Sequence, residues 1–208
     1  MNSRRRQLLL AGISLSAVLA GVADQKMGPP FRHPTLDHSL LQAGDWLFRR
    51  TNSLPGHLSS HLDPVGEFSH VGVIAPSSGG WKVVHAEPTR GYRGGRVNAE
   101  AVDVFVSQSD TVLVAQASLS YITLEQREQM AIAAQSFVGR PFDGLFDSSD
   151  DQALYCTELV WRAALVAGIS LDRPLRPFST VFGIFDLVNL STLATQPGLL
   201  WVQRATQF

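Results

Sequence analysis

An α+β fold is predicted for this chain on three observations. Two short runs, Ser69 to Ile74 and Trp81 to Ala86, flank a Pro/Ser/Gly turn from Ala75 to Gly80, which is the pattern of a β-hairpin. Thr123, with Gln126 three residues later, opens a helical stretch from Leu124 to Val138 that closes at Gly139, before Pro141. From Leu154 to Gly168, Leu159, Val160, Ala163, Ala164 and Ala167 recur at helical spacing on or beside the face that carries Cys156, and Gly168 is a natural helix stop. A small antiparallel sheet packed against the helix carrying Cys156 is the expected architecture.

Taken in order, residues 1–23 read as a signal peptide. Arg4, Arg5 and Arg6 precede an apolar run from Leu8 to Ala20, and Gly21-Val22-Ala23 offers small residues for cleavage near Ala23. The expectation is an exported protein, periplasmic or secreted. The run is short for a membrane span of about 20 residues, so no stable transmembrane span is expected after processing. Residues 24–41, with Gly28-Pro29-Pro30, read as a lead-in linker, and residues 42–208 as one domain. Gly44-Asp45 begins a turn that leads into a short strand, Trp46 to Arg49.

Thr51 to Glu67 is polar and punctuated by Pro and Gly. Its His57 and His61 have i, i+4 spacing but neither a helix signal nor an intervening Glu, so no zinc motif is read there. Thr89 to Arg96 is read as a loop near the site, carrying Arg90, Arg93 and Arg96. Val102 to Val106, alternating in Val102, Val104 and Val106, and Thr111 to Ala117 are read as further strands. In the loop from Pro141 to Asp151 the spacing of Asp143, Asp147, Asp150 and Asp151 does not match a calcium loop, and these residues are assigned to turn and cap chemistry. Leu171 to Thr180 is broken by proline, and Val181 to Leu190 reads as a short apolar helix or strand.

The formal charge of −1 and the absence of a basic stripe with interleaved aromatics argue against a nucleic-acid partner. No cofactor or metal motif is read. The chain holds one cysteine, so no disulfide can close within it. In an exported protein Cys156 is then buried, cross-linked to another molecule, or kept as a reactive thiol. In the first turn of a helix, unpaired N–H groups and the macrodipole favour thiolate. A lone cysteine on an apolar face is otherwise a small hydrophobe.

If Ile74 faces Trp81 across the hairpin loop, His70 falls opposite His85 on one face of the sheet. Cross-strand Cβ atoms lie about 4.5–5.5 Å apart, within reach of an imidazole–imidazole hydrogen bond. A slip of one residue would destroy this arrangement. Nucleophilic cysteine catalysis needs a thiolate, a base and a group that orients the base, and Cys156, His70 and His85 fill those roles by type.

The Gly44-Asp45 turn, Ser69-His70-Val71-Gly72-Val73, Val83-Val84-His85-Ala86 and Tyr155-Cys156-Thr157-Glu158-Leu159-Val160 together resemble the circularly permuted NlpC/P60 group of papain-like cysteine hydrolases, especially its YiiX/YaeF-like branch. In the unpermuted arrangement the Cys helix precedes the His strand. Here His comes first and Cys last, as also in the related lecithin:retinol acyltransferase-like proteins. The resemblance implies a permuted papain-like fold with Cys156 as nucleophile, His70 as general base and acid, and His85 as orienter. At the orienter position the YiiX-like branch is expected to carry an acidic residue, whereas His85 is closer to the acyltransferase-like pattern. Glu87, on the same face, is the reserve orienter. The backbone N–H of Cys156 is the natural oxyanion donor, with Tyr155 a candidate neighbour.

The expected function is a cysteine amidase or peptidase acting through a thioester on a peptide or amide substrate, with cell-wall peptides suggested by export. The alternatives are a lipid acyl hydrolase or acyltransferase using the same thioester chemistry, and a non-catalytic binding homologue.

Overall fold

The computed structural model describes residues 33–52, 63, 66–89, 94–149, 151–180 and 183–207. The expected signal peptide, the first part of the expected linker, the His57/His61 pair, Arg90, Arg93 and Asp150 lie outside the described residues.

Six antiparallel strands form the main sheet in the order β4-β3-β2-β1-β5-β8. They are β1 (Trp46–Thr51), β2 (His70–Ser77), β3 (Gly80–Pro88), β4 (Gly95–Ala101), β5 (Thr111–Leu119) and β8 (Leu199–Thr206). A separate two-stranded ribbon pairs β6 (Leu175–Thr180) with β7 (Gly183–Val188). The helices are α1 (Val102–Val106), α2 (Leu124–Ser136), α3 (Cys156–Val166) and α4 (Leu190–Ala194).

Both faces of the sheet are covered, so the central strands read as continuous apolar runs. On one face Trp46, Phe48, Val71, Val73, Val84 and Ala86 pack under α2 and α3, which contribute Met130, Ala134, Leu159, Val160 and Ala163. On the other, Leu47, Ile74, Val83 and Val114 are closed by Val102, Phe105 and Val106 of α1.

The helix signals hold. Thr123 and Gln126 form a reciprocal capping box, with bonds of 3.1 Å from the Gln126 N–H to Thr123 Oγ1 and 3.0 Å from the Thr123 N–H to Gln126 Oε1. At the end of α3 Gly168 adopts φ +68°, and the N–H groups of Gly168 and Ile169 return to Leu165 and Ala164, a Schellman stop.

Gly44 and Asp45 act as a joint. Gly44 sits at φ +79°, where an added Cβ would come within 2.5 Å of the Arg127 carbonyl oxygen. Asp45 is buried and ties β1 to α2 through Arg127 Nη1 at 2.6 Å and to β5 through Gln116 Nε2 at 2.6 Å.

Three readings are corrected. Val102–Val106 is a helix: burying Val102, Phe105 and Val106 satisfies a helical period, while Asp103 and Val104 face solvent. Gly95 onward is strand β4, concealed in the sequence because Val97 is its single fully buried residue. The hairpin turn is tighter than expected. The strands run on to Ser77 and Gly80 and Ile74 pairs with Val83, two residues from the predicted register.

A shift of two preserves the face, so His70 and His85 still share one side, as diagonal neighbours. Of the segment left open as helix or strand, 183–188 is strand and 190–194 helix. Strand β8 had no counterpart in the sequence reading. It is an edge strand whose exposed Leu200, Trp201 and Val202 break any alternation.

Candidate active site

Cys156 opens α3, with Tyr155 in extended backbone as the residue before it. Its sulfur is half-buried, and the backbone N–H groups of Val71, Thr157 and Cys156 itself are directed at it. The Val71 N–H belongs to β2, one residue from His70, so the nucleophile candidate lies at the start of the histidine strand. Burial nevertheless dominates these donors and pushes the Cys156 thiol up to about 11. The thiolate expected from a helix N-terminus alone is therefore not the resting form.

The imidazoles of His70 and His85 meet on the α1 face, with Nε2 of His70 2.9 Å from Nδ1 of His85. Gly72 makes this diagonal contact practicable, since a Cβ there would lie 2.9 Å from the His85 Cβ. Phe105 stacks on His70 and meets His85 edge-on, fixing both ring planes. Burial holds His70 well below the ordinary histidine value, and the positive charge of Arg49 acts in the same direction. Neutral His70, one residue along β2 from the N–H that meets the Cys156 sulfur, is in the form a general base has before proton transfer.

Glu87 does share the histidine face, but its Oε1 is bound to Arg49 Nη2 at 2.6 Å. The carboxylate that reaches His85 is Glu100, with Oε1 3.0 Å from His85 Nε2 as an ion-pair contact that does not meet hydrogen-bond geometry. Arg49 Nη1 is 3.9 Å from the same oxygen, and its guanidinium lies 4.3 Å from the Phe105 ring centroid. The sequence reading does not find Glu100 or Arg49: the loop assigned to residues 89–96 ends before Glu100, residues 97–101 carry no assigned element, and Arg49 reads as an ordinary strand residue. The available signal was Arg49 itself, a charge at an inward position of an apolar strand.

Tyr155 is buried, and its hydroxyl accepts the Val188 N–H at 2.8 Å and bonds to Ser148 Oγ at 2.6 Å. It anchors β7 and the preceding loop. That loop is held by Asp143, whose carboxylate accepts the N–H groups of Leu145 at 2.8 Å and Asp147 at 2.6 Å, consistent with turn chemistry. Beside Cys156 is a narrow cleft of about 40 Å³, walled by Phe146, Tyr155, Leu187, Val188 and Leu190 with Asp63 at its edge. Among the described residues no group of three or more His, Cys, Asp or Glu gathers as a metal site, and no helix is long and apolar enough to cross a membrane.

The fold has a solved counterpart. The crystal structure described as the metalloprotein yiiX from Escherichia coli O157:H7 superposes with a TM-score of 0.61 at 17% identity, covering 78% of this chain and 96% of that one. No curated protein sequence matches significantly. The family described as "Permuted papain-like amidase enzyme, YaeF/YiiX, C92 family" matches residues 40–174, a stretch that runs from the Gly44-Asp45 joint past the end of the cysteine helix. With histidine strand first, cysteine helix last and a family match over most of its length, the chain belongs to the C92 family of permuted papain-like cysteine amidases.

Proposed function

We propose that this protein is an exported amidase that opens a peptide-type amide through a thioester on Cys156, with cell-wall peptides as the substrate class. The supporting observation is the 2.9 Å His70–His85 bond at the strand whose Val71 N–H is directed at the Cys156 sulfur. His70 takes the thiol proton as sulfur attacks the carbonyl, then gives it to the leaving amine. Water, deprotonated by the same histidine, cleaves the thioester and releases the acid. The N–H of Cys156, at the start of α3, stabilises the oxyanion. His85 holds His70 in place throughout. Export rests on the basic, then apolar, then small-residue pattern of residues 1–23.

The test is turnover of a panel of muropeptides and simple peptide amides, followed by mass spectrometry. Release of an amine with the parent and none with Cys156→Ala supports the reading. Equal release by both, or none from any member of the panel, contradicts it. N-terminal sequencing of protein recovered from its producing cell checks the processing, with a first residue just after Ala23 expected.

The apolar wall of the cleft, from Phe146, Leu187, Val188 and Leu190, favours a second reading: a lipid acyl group carried on the same thioester. Acyl mass retained on Cys156 after mixing with phospholipid vesicles, and absent with the peptide panel, would select it.

A further inference from the structure

The histidine pair does not end at His85. Pairing of Val83 with Glu100 and of His85 with Asn98 makes Glu100 a diagonal neighbour of His85 across β3 and β4, on the same face of the sheet. Its Oε1 stands 3.0 Å from His85 Nε2, while His70 occupies the other nitrogen of that ring at 2.9 Å. His85 is 1% exposed, so water does not compete for either contact.

The charged groups around the pair are Arg49 from β1, Glu87 from β3 and Glu100 from β4, with Phe105 of α1 closing the face. Arg49 spends its closest contact on Glu87 at 2.6 Å and stays 3.9 Å from Glu100, which leaves Glu100 an oxygen for His85. Burial works to raise the Glu100 carboxyl, but the His85 contact and the nearby Arg49 charge hold it below the ordinary value, so it is ionised.

We infer that Glu100 is a positioning residue that sets the proton positions of both histidines. An ionised carboxylate 3.0 Å from Nε2 of His85 favours the proton on that nitrogen by its charge, although the pair lacks the alignment of a full hydrogen bond. With one proton on each ring, Nδ1 of His85 is then bare and can only accept, so His70 donates its own Nε2–H to it. A neutral His70 carries no second proton, and its Nδ1 is thereby the basic nitrogen.

On attack, the proton leaving Cys156 Sγ goes to Nδ1 of His70. The resulting imidazolium donates through Nε2 to His85, whose dipole is anchored by Glu100. No proton leaves His85 or enters Glu100. Without Glu100 the His85 proton is free to move to Nδ1, where it would face the His70 Nε2–H, and His70 would lose its fixed orientation. The inference rests on Cys156 and His70 acting as nucleophile and base.

The test uses the full chain, labelled with nitrogen-15, and reads histidine tautomers from two-bond proton–nitrogen correlations. Alkylation of Cys156 by iodoacetamide provides a second readout that requires no substrate. In the parent at neutral pH both His70 and His85 are expected to carry their proton on Nε2. In Glu100→Leu the His85 proton should shift toward Nδ1, and alkylation should slow by about tenfold or more at pH 7.

Glu100→Gln keeps an acceptor oxygen in place but not the charge. It should restore the tautomers and only part of the rate, and it carries the test if the leucine variant fails to fold. A parent His85 protonated on Nδ1, or tautomers and rates unchanged in both variants, would overturn the inference. If tautomers and alkylation respond as expected while the parent opens no amide or ester, Glu100's role stands and the amidase reading fails.

Discussion

Nε2 of His70 lies 2.9 Å from Nδ1 of His85, and the two residues come from strands whose register sets them two positions out of line. The bond is buried and spans the diagonal that Gly72 leaves open. His85→Ala should therefore leave His70 Nε2 without its partner. We expect kcat to fall by about 100-fold with KM little changed, because the lost contact orients the base rather than the substrate. Steady-state kinetics on whichever amide or ester the parent turns over checks this, and an effect confined to KM would contradict it.

The pH dependence of stability follows from His70 and Cys156. His70 is held below its ordinary value of 6.5 in the folded protein, so as pH falls through 6.5 the unfolded chain takes up a proton that the folded one refuses. Stability is lost on the acid side. The Cys156 thiol is raised from 9.0 to about 11, so between those values the unfolded chain gives up a proton that the folded one keeps, and stability falls as pH rises. Thermal unfolding midpoints should be highest between these arms. His70→Gln should flatten the acid arm and Cys156→Ala the alkaline one, and arms that persist in these variants would assign them to other groups.

Asp45 offers a contrast remote from the chemistry. It is buried against Arg127 and Gln116, and burial raises its carboxyl although the Gln116 bond and the Arg127 charge oppose this. Asp45→Ala leaves Arg127 without its carboxylate and should cost about 3 kcal/mol in urea unfolding. A cost below 1 kcal/mol would mean that the joint between β1 and α2 is not where this fold is secured.

Tyr155→Phe removes the acceptor for the buried Val188 N–H and the partner of Ser148. A loss of about 1–3 kcal/mol is expected. Unchanged stability would mean that this hydroxyl is free for another role, including one at the oxyanion.

Much of this was legible in the sequence, for identifiable reasons. The cap at Thr123, the stop at Gly168 and the Cys156 helix depend on local rules that tertiary context left intact. The shared face of His70 and His85 was legible although the register was not, because a period of two survives an error of two; the loop length that sets the register follows from the turn. Val102 to Val106 satisfied both a strand and a helix period, and Phe105, which packs on both histidines, decided between them. Glu100 was hidden because β4 is an edge strand with one fully buried residue, so its apolar signal was too thin to place the carboxylate opposite anything.

The proposed transfer of the Cys156 proton to His70, from a thiol held near 11 by burial, can be tested without a substrate. The most direct measurement is the rate of Cys156 alkylation by iodoacetamide from acid to alkaline pH in the parent and in His70→Ala. At pH 7 the parent is expected to react about 100-fold faster, with the gap closing as the thiol ionises unaided at high pH. Superimposable profiles for the two proteins would contradict it.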